Sequence, residues 1–141
     1  MADPARIVTH DLHRPLQRPD MLLDRSISRD AAIEIARRYL VLMEQRDVDC
    51  ASQLVHRDAI FTFPGGAARR SLQEIVDGSA TRYQHIGKTI EACDACVEDE
   101  CTIVYVRGTL HGRWLNGSSF TGIRFVDRFE IRNGLIGRQD V

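Results

Sequence analysis

The sequence predicts an α+β fold in which a curved antiparallel sheet wraps around a long helix and forms a cone. Three observations lead to this fold class. Helical periodicity is confined to the first half of the 141-residue chain, the second half alternates with period two, and two Asn-Gly turns join strands there. The concave face of such a sheet must be filled by side chains or by a ligand.

The helical half follows an arm. Residues 1–27 contain three prolines among charged residues and show little periodicity, which predicts an arm, with the domain over residues 28–141. Ser28 is a favourable N-cap for a helix over about 29–45, and Asp47 precedes a second, short helix. Ser71 and Glu74 form a capping box that begins a third helix over about 71–83.

The strands lie on either side of the third helix. A short strand over residues 58–66 ends at Pro64 and two glycines. Four longer strands follow over about 87–97, 101–114, 119–131 and 135–141, separated by a polar turn and the two Asn-Gly turns. These strands predict a four-stranded antiparallel meander.

The composition excludes several classes of protein. The length favours one domain, and a net charge of −1 with scattered arginines argues against a nucleic-acid partner. No apolar leader or membrane-length apolar run occurs, so we expect a cytoplasmic protein that does not bind membranes. Cys93 and Cys96 form a CxxC without a second ligand pair, so we interpret them as reduced strand residues and expect no metal.

Asp127 is the most informative residue of the strand over 119–131. Alternation places it on an apolar face together with Thr121, Ile123, Phe125, Phe129 and Ile131. A buried carboxylate costs several kcal/mol unless it is paired, protonated or solvated. One interpretation is an ion pair with an arginine of a neighbouring strand. The other, which the apolar face favours, is a role in a ligand pocket.

Four further polar residues are candidates for a site. His111 lies on the face of its strand that mixes polar and apolar residues, and the opposite, drier face suits packing on a helix. Three interpretations of His111 are open: it is exposed, hydrogen-bonded to a neighbour, or catalytic. His85, between the third helix and the next strand, and Glu44, at the end of the first helix, are surface residues by local sequence. Tyr39 lies on the apolar stripe of the first helix and needs a partner for its hydroxyl.

Taken together, these residues resemble the cone-shaped superfamily of nuclear transport factor two, ketosteroid isomerase and the SnoaL-like polyketide cyclases. The resemblance covers about residues 29–141, and the segment F-V-D-R-F-E-I-R-N-G-L-I is similar to the last hairpin of the superfamily. The stretches 39-YLVLMEQRDVD-49, 84-QHIGKTIE-91 and 109-TLHGR-113 resemble scytalone dehydratase and bile acid 7α-dehydratase. That resemblance implies active-site positions for Tyr39, Glu44, His85 and His111.

The looser resemblance to ketosteroid isomerase implies that Tyr39 and Asp127 are oxyanion-hole donors. Phe63 stands where that enzyme has its catalytic aspartate, so an isomerase of this type lacks its base. Ile123 and Phe125 stand where scytalone dehydratase has polar substrate-binding residues. With Phe61 and Phe63, these positions imply a small apolar substrate.

The resemblance implies a cofactor-free dehydratase acting on an apolar cyclic hydroxy ketone. His85 held by Glu44 would transfer protons, His111 would be a second acid or donor, and Tyr39 would polarise the carbonyl. Asp127 would be either a protonated donor or an ionised group that orients His111.

Two alternatives remain open. One is an isomerase or polyketide cyclase with Asp127 or His111 as base. The other is a non-catalytic ligand-binding or assembly subunit whose pocket is filled by phenylalanines. The resemblance also implies a homodimer or homotrimer through the outer face of the sheet, which Trp114 and the valines of its strand support.

Overall fold

The computed structural model describes residues 27–141, so the arm predicted over residues 1–27 lies, apart from Ile27, outside the described residues. The elements in chain order are α1 (Arg29–Glu44), α2 (Val48–Ser52), β1 (Val55–Thr62), α3 (Leu72–Ala80), β2 (Tyr83–Glu98), β3 (Cys101–Trp114), β4 (Ser119–Arg132) and β5 (Leu135–Asp140). This order confirms the predicted α+β fold class.

The five strands form one mixed sheet in the order β1-β5-β4-β3-β2. Strands β2 to β5 pair antiparallel in sequence order, which confirms the predicted meander. The first strand pairs in parallel with the last one, with Thr62 opposite Asp140. The sequence did not predict this pairing, because the two partners are separated by the whole meander.

Both predicted helix caps are present. The Ser28 hydroxyl accepts the Ala31 N–H at 3.1 Å, and the Ser71 hydroxyl accepts the Glu74 N–H at 3.2 Å. The third helix ends at Ala80, because the Thr81 hydroxyl and N–H both bond the carbonyl of Gly78. Strand β2 begins at Tyr83, four residues earlier than predicted, so residues 83–86 belong to the sheet.

Helix α1 packs on the concave face of the sheet. Ala32 and Ala36 are fully buried at this contact, and their small side chains allow helix and sheet to approach closely. Val104 and Val106 are also fully buried in this core, so the drier face of β3 packs on the helix as expected. These valines consequently give no support to an interface on the outer face. Across residues 27–141, no helix combines the length and apolar character needed to cross a membrane.

Candidate functional site

A cavity of about 430 Å³ lies between α1, α3 and the concave face of the sheet. Cavities of this size are typical of sites for small molecules. Its walls are mainly apolar and include Leu40, Met43, Phe63, Ile75, Leu110 and Phe125. The phenylalanine side chains thus leave the cavity open, which disfavours the alternative of a filled, purely structural pocket.

Four hydrogen-bonded side chains, Tyr39, Lys88, Asp127 and Gln139, form what we call the floor network. The Tyr39 hydroxyl donates to Gln139 Oε1 at 2.9 Å, and Gln139 Nε2 donates to Asp127 Oδ2 at 3.3 Å. Lys88 Nζ donates to the same carboxylate oxygen and forms an ion pair with it. Tyr39, Lys88 and Gln139 line the cavity, and the fully buried Asp127 lies behind them.

The surroundings of Asp127 decide between the two interpretations of its burial. The carboxylate forms an ion pair, but with a lysine of β2 rather than an arginine. Its other oxygen, Oδ1, is buried and has no hydrogen-bond partner among residues 27–141. Lys88 Nζ also lies 4.6 Å from the ring centre of Phe125, a cation–π contact. The pair therefore fixes one positive charge at an apolar wall of the cavity.

Tyr39 is held by the same network. Its single hydroxyl hydrogen is donated to Gln139, so the oxygen has only acceptor capacity left for a ligand. Burial, and secondarily the charge of Asp127, raise the pKa of Tyr39 well above its usual value. The role expected for Tyr39, donation to a carbonyl, is therefore better filled by the ammonium of Lys88.

Three other predicted residues, Glu44, His85 and His111, form what we call the rim. Glu44 ends α1 beside the edge strand β2, where its Oε2 accepts the Lys88 N–H at 3.5 Å. A Cβ atom built on Gly87 would collide with Glu44 Oε1 and would lie 2.6 Å from His111 Nε2. The ring centres of His85 and His111 are 6.1 Å apart. A glycine thus makes room for the carboxylate and one imidazole.

The rim and the floor network occupy opposite faces of β2. Paired residues of β2 and β3 share a face, and the pairs are Lys88 with Leu110, Gly87 with His111, and His85 with Arg113. Since successive residues alternate, His85 and His111 lie on the face opposite Lys88, where both border a shallow groove. His85 and Glu44 also border the cavity. No hydrogen bond or ion pair within residues 27–141 joins Glu44 to His85, the pair that we expected.

Of the four residues expected to line the substrate pocket, two lie at the cavity and two lie elsewhere. Phe63 and Phe125 line the cavity. Phe61 is fully buried in the core, stacked on Tyr39 with ring centres 6.4 Å apart. Ile123 is 43% exposed and lies next to Gly122, whose φ of +75° marks an irregularity where β4 pairs with β3. The structure therefore brings two of the four to the cavity.

The CxxC segment belongs to β2. Cys93 is partly buried against the core, and Cys96 is exposed on the other face. Within the described part of the chain, no group of three His, Cys, Asp or Glu side chains is arranged to hold a metal ion. The two cysteines are free strand residues.

Comparison with known proteins identifies the family. The family model described as SnoaL-like domain matches residues 36–139. The chain belongs to the SnoaL-like family. No curated protein matches it significantly.

Several solved structures share the fold of this SnoaL-like chain. An NTF2-like protein of unknown function from Burkholderia pseudomallei is 18% identical, with a TM-score of 0.66 over 81% of this chain and 89% of its own. A protein from Xanthomonas campestris that is provisionally described as a polyketide cyclase is 16% identical. Its TM-score is 0.64 over 79% of this chain and 89% of its own. TerC, co-crystallised with polyporic acid, is 17% identical, with a TM-score of 0.64 over 78% and 88%. At these identities the likeness establishes the NTF2-like cone fold.

The SnoaL-like cavity contains two groups that sequence reasoning missed, Lys88 and Gln139. Lys88 stands between Ile86 and Ile90 in an alternating strand, so the pattern that singled out Asp127 also applied to it. Gln139 gives no comparable signal, because the pairing of β4 with β5 is irregular. The cavity therefore offers a fixed cation at its floor and a carboxylate, Glu44, at its rim.

Proposed function

We propose that this SnoaL-like protein is a cofactor-free dehydratase that removes water from a small, largely apolar β-hydroxy ketone bound in the cavity. The observation that carries the proposal is the placement of opposite charges. The ammonium of Lys88 is held at the floor by buried Asp127, and the carboxylate of Glu44, which has no cationic partner within residues 27–141, stands at the rim. The ammonium of Lys88 can stabilise a developing oxyanion, and the carboxylate of Glu44 can accept a proton.

The first step is enolate formation. The ketone oxygen binds Lys88, and Glu44 removes a proton from the adjacent carbon. A fixed positive charge in an apolar cavity stabilises the negative oxygen as it forms, an effect that typically changes rates by about 10² to 10³. Because Asp127 and Phe125 already hold the ammonium in place, little reorganisation accompanies the reaction.

The second step is loss of hydroxide from the β-carbon. The enolate electrons form the carbon–carbon double bond while the C–O bond breaks, and His85 donates the proton that converts the leaving hydroxide into water. His85 suits this role because it borders the cavity and an imidazole titrates near neutral pH. Glu44 returns its proton to solvent, and the imidazole takes one up, so the net change is loss of one water.

Fold relatives support a small cyclic substrate. One is described as a polyketide cyclase and another was crystallised with polyporic acid, and both share the cone that forms this cavity. A second candidate, an isomerase or cyclase, is favoured by one observation. His85 lies on the face of β2 opposite Lys88, so Lys88 and Glu44 alone would perform proton transfer without an acid for a leaving group.

The experiment follows two probes that separate the steps. Conversion of 3-hydroxy-1-tetralone into 1-naphthol reports dehydration by fluorescence, and deuterium uptake by 1-tetralone in D₂O reports enolate formation by NMR. Glu44→Gln is expected to lower both rates by about 10² to 10³, and so is Lys88→Met combined with Asp127→Leu, which leaves no unpaired buried charge. His85→Gln is expected to lower dehydration alone, and His56→Gln, which changes an exposed histidine of β1, is the matched control.

The outcomes distinguish the candidates. Deuterium uptake without dehydration by the unmodified protein would favour the isomerase or cyclase. Binding of both probes with neither reaction would leave a ligand-binding protein and contradict the enzyme proposal. An unchanged dehydration rate in His85→Gln would remove His85 from the mechanism.

A further inference from the structure

Three arginines, Arg46, Arg69 and Arg82, border the cavity, and we call them the cavity arginines. They come from three separate connections: the one after α1, the one between β1 and α3, and the one between α3 and β2. Arg46 and Arg82 are exposed and Arg69 is half-buried, so all three lie toward the solvent side. From them we infer that the substrate carries an anionic group such as a carboxylate, an inference that rests on the proposed function.

The cavity arginines have no carboxylate partner within residues 27–141. Elsewhere in the described chain, five arginines form ion pairs with acidic side chains: Arg57, Arg107, Arg124, Arg128 and Arg138. The positive charge at the cavity is thus left without a counter-ion among residues 27–141. A guanidinium in that state retains the paired N–H donors that match a carboxylate.

Two of the cavity arginines are positioned by backbone carbonyl groups. Arg46 Nη2 donates to the carbonyl of Gln84 at 3.4 Å, and Arg69 Nη1 donates to the carbonyl of Glu74 at 3.3 Å. A Cβ atom on Gly78 would lie 3.0 Å from Arg69 Nη2, so the glycine provides the space in which this guanidinium packs. A carbonyl orients a guanidinium without neutralising its charge.

The balance of charge around the cavity favours an anion. Among the lining residues that the structure describes, Glu44 is the one with an acidic side chain, and Lys88 is already paired with Asp127 behind the wall. The three cavity arginines therefore outnumber the single acidic side chain, Glu44, in a concave and largely apolar site. Such an excess of positive charge raises the local concentration of anions. The substrate is accordingly an apolar ring compound whose ketone binds Lys88 and whose anionic group binds the cavity arginines.

Two probes of equal shape test the inference by calorimetry. We expect 2-naphthoate to bind about tenfold more tightly than 2-naphthamide at low salt, and the preference to shrink at high salt. The triple variant R46Q/R69Q/R82Q is expected to lose the preference and to retain its affinity for naphthamide. R57Q/R124Q/R132Q removes the same charge at exposed positions outside the cavity lining and is the matched control.

Gly78→Ala provides a second variant that keeps all charges. The added Cβ atom displaces Arg69, so a partial loss of the preference for naphthoate is expected. Equal affinity of the two probes for the unmodified protein, or an equal loss in the control triple variant, would overturn the inference. Deuterium uptake by uncharged 1-tetralone would still test the proposed enzyme activity separately, so the two failures are distinguishable.

Discussion

Lys88 of the floor network and His85 of the rim are three residues apart on β2, yet their environments differ sharply. Asp127 and Tyr39 in the floor network are almost completely buried, and hydrogen bonds link the four members in the order Tyr39, Gln139, Asp127 and Lys88. Glu44 and His85 in the rim are exposed and have no ion pair within residues 27–141. One strand thus presents a largely buried, hydrogen-bonded network on one face and exposed ionisable groups on the other.

The difference separates groups on which folding depends from groups that act in the chemistry alone. Charges that are removed from water must be paired, so removing one partner of the floor network should destabilise the folded state. Glu44 and His85 of the rim are exposed and have no ion pair within residues 27–141, so they can contact a ligand and solvent. Substitutions in the floor network should therefore lower stability, and those of Lys88 should lower activity as well, whereas substitutions in the rim should change activity alone.

The largest expected effect breaks the floor network at its centre. Asp127→Asn leaves the ammonium of Lys88 without its counter-ion, and removal of one partner of a buried pair costs about 3 to 5 kcal/mol. Because the Lys88 side chain is 21% exposed, we expect a value near the lower end. Urea denaturation followed by circular dichroism measures the change in the free energy of unfolding.

Two controls sharpen this test. Asp127→Leu combined with Lys88→Met removes both charges, so its stability should return to within about 1 kcal/mol of the unmodified protein. Glu44→Gln changes a rim carboxylate and should alter stability by less than about 0.5 kcal/mol. If Asp127→Asn were as stable as the unmodified protein, the floor network would not contribute to folding in the way we describe.

A pair of glycine substitutions compares the rim with the interior of the sheet. The Cβ atom of Gly87→Ala meets only the ends of the Glu44 and His111 side chains, which can move. We expect activity to fall about 10- to 100-fold through displacement of Glu44, with little change in stability. The Cβ atom of Gly108→Ala instead collides with the backbone carbonyl of Thr89, so it should cost about 1 to 3 kcal/mol of stability.

The dehydration assay measures the activity of these two variants, and urea denaturation measures their stability. The interpretation fails if Gly87→Ala is as active as the unmodified protein, because Glu44 would then not depend on the space above Gly87.

Local features of the fold were predictable because their physical causes lie within a few residues. Both helix caps need only a hydroxyl and an N–H three residues away, and the two Asn-Gly turns join neighbouring strands. The parallel pairing of β1 with β5 has no such local cause. It depends on the tertiary arrangement that brings β1 beside β5, which alternation along one strand does not reveal.

The site was predictable where alternation was regular. Asp127 was identified because a carboxylate interrupts an apolar face, and Lys88 interrupts the corresponding face of β2 in the same way. A lysine in a strand is most often exposed, so the ion pair with Asp127, two strands away, is what distinguishes Lys88. The face on which His85 lies depends on where β2 begins and on the register shift between Tyr83 and His85, neither of which the sequence defines.

The smallest expected effect is a dependence of stability on alkaline pH, which arises from Tyr39 of the floor network. Burial and Asp127 raise the pKa of Tyr39, so this tyrosine stays protonated in the folded protein when an unfolded tyrosine ionises, near pH 10. Below about pH 10 the tyrosine is protonated in both states and stability is fully retained. Above it, ionisation of the unfolded chain should lower the free energy of unfolding by about 1.4 kcal/mol per pH unit.

Tyr39→Phe should lack this contribution, so its stability should fall less steeply than that of the unmodified protein between about pH 10 and pH 11.5. Val126→Ala is the control, because Val126 is 55% exposed and carries no titratable group, so the slope should be unchanged. Urea denaturation at several alkaline pH values measures the slopes. Parallel curves for Tyr39→Phe and the unmodified protein would show that the Tyr39 hydroxyl is accessible to solvent, and the floor network would then resemble the rim.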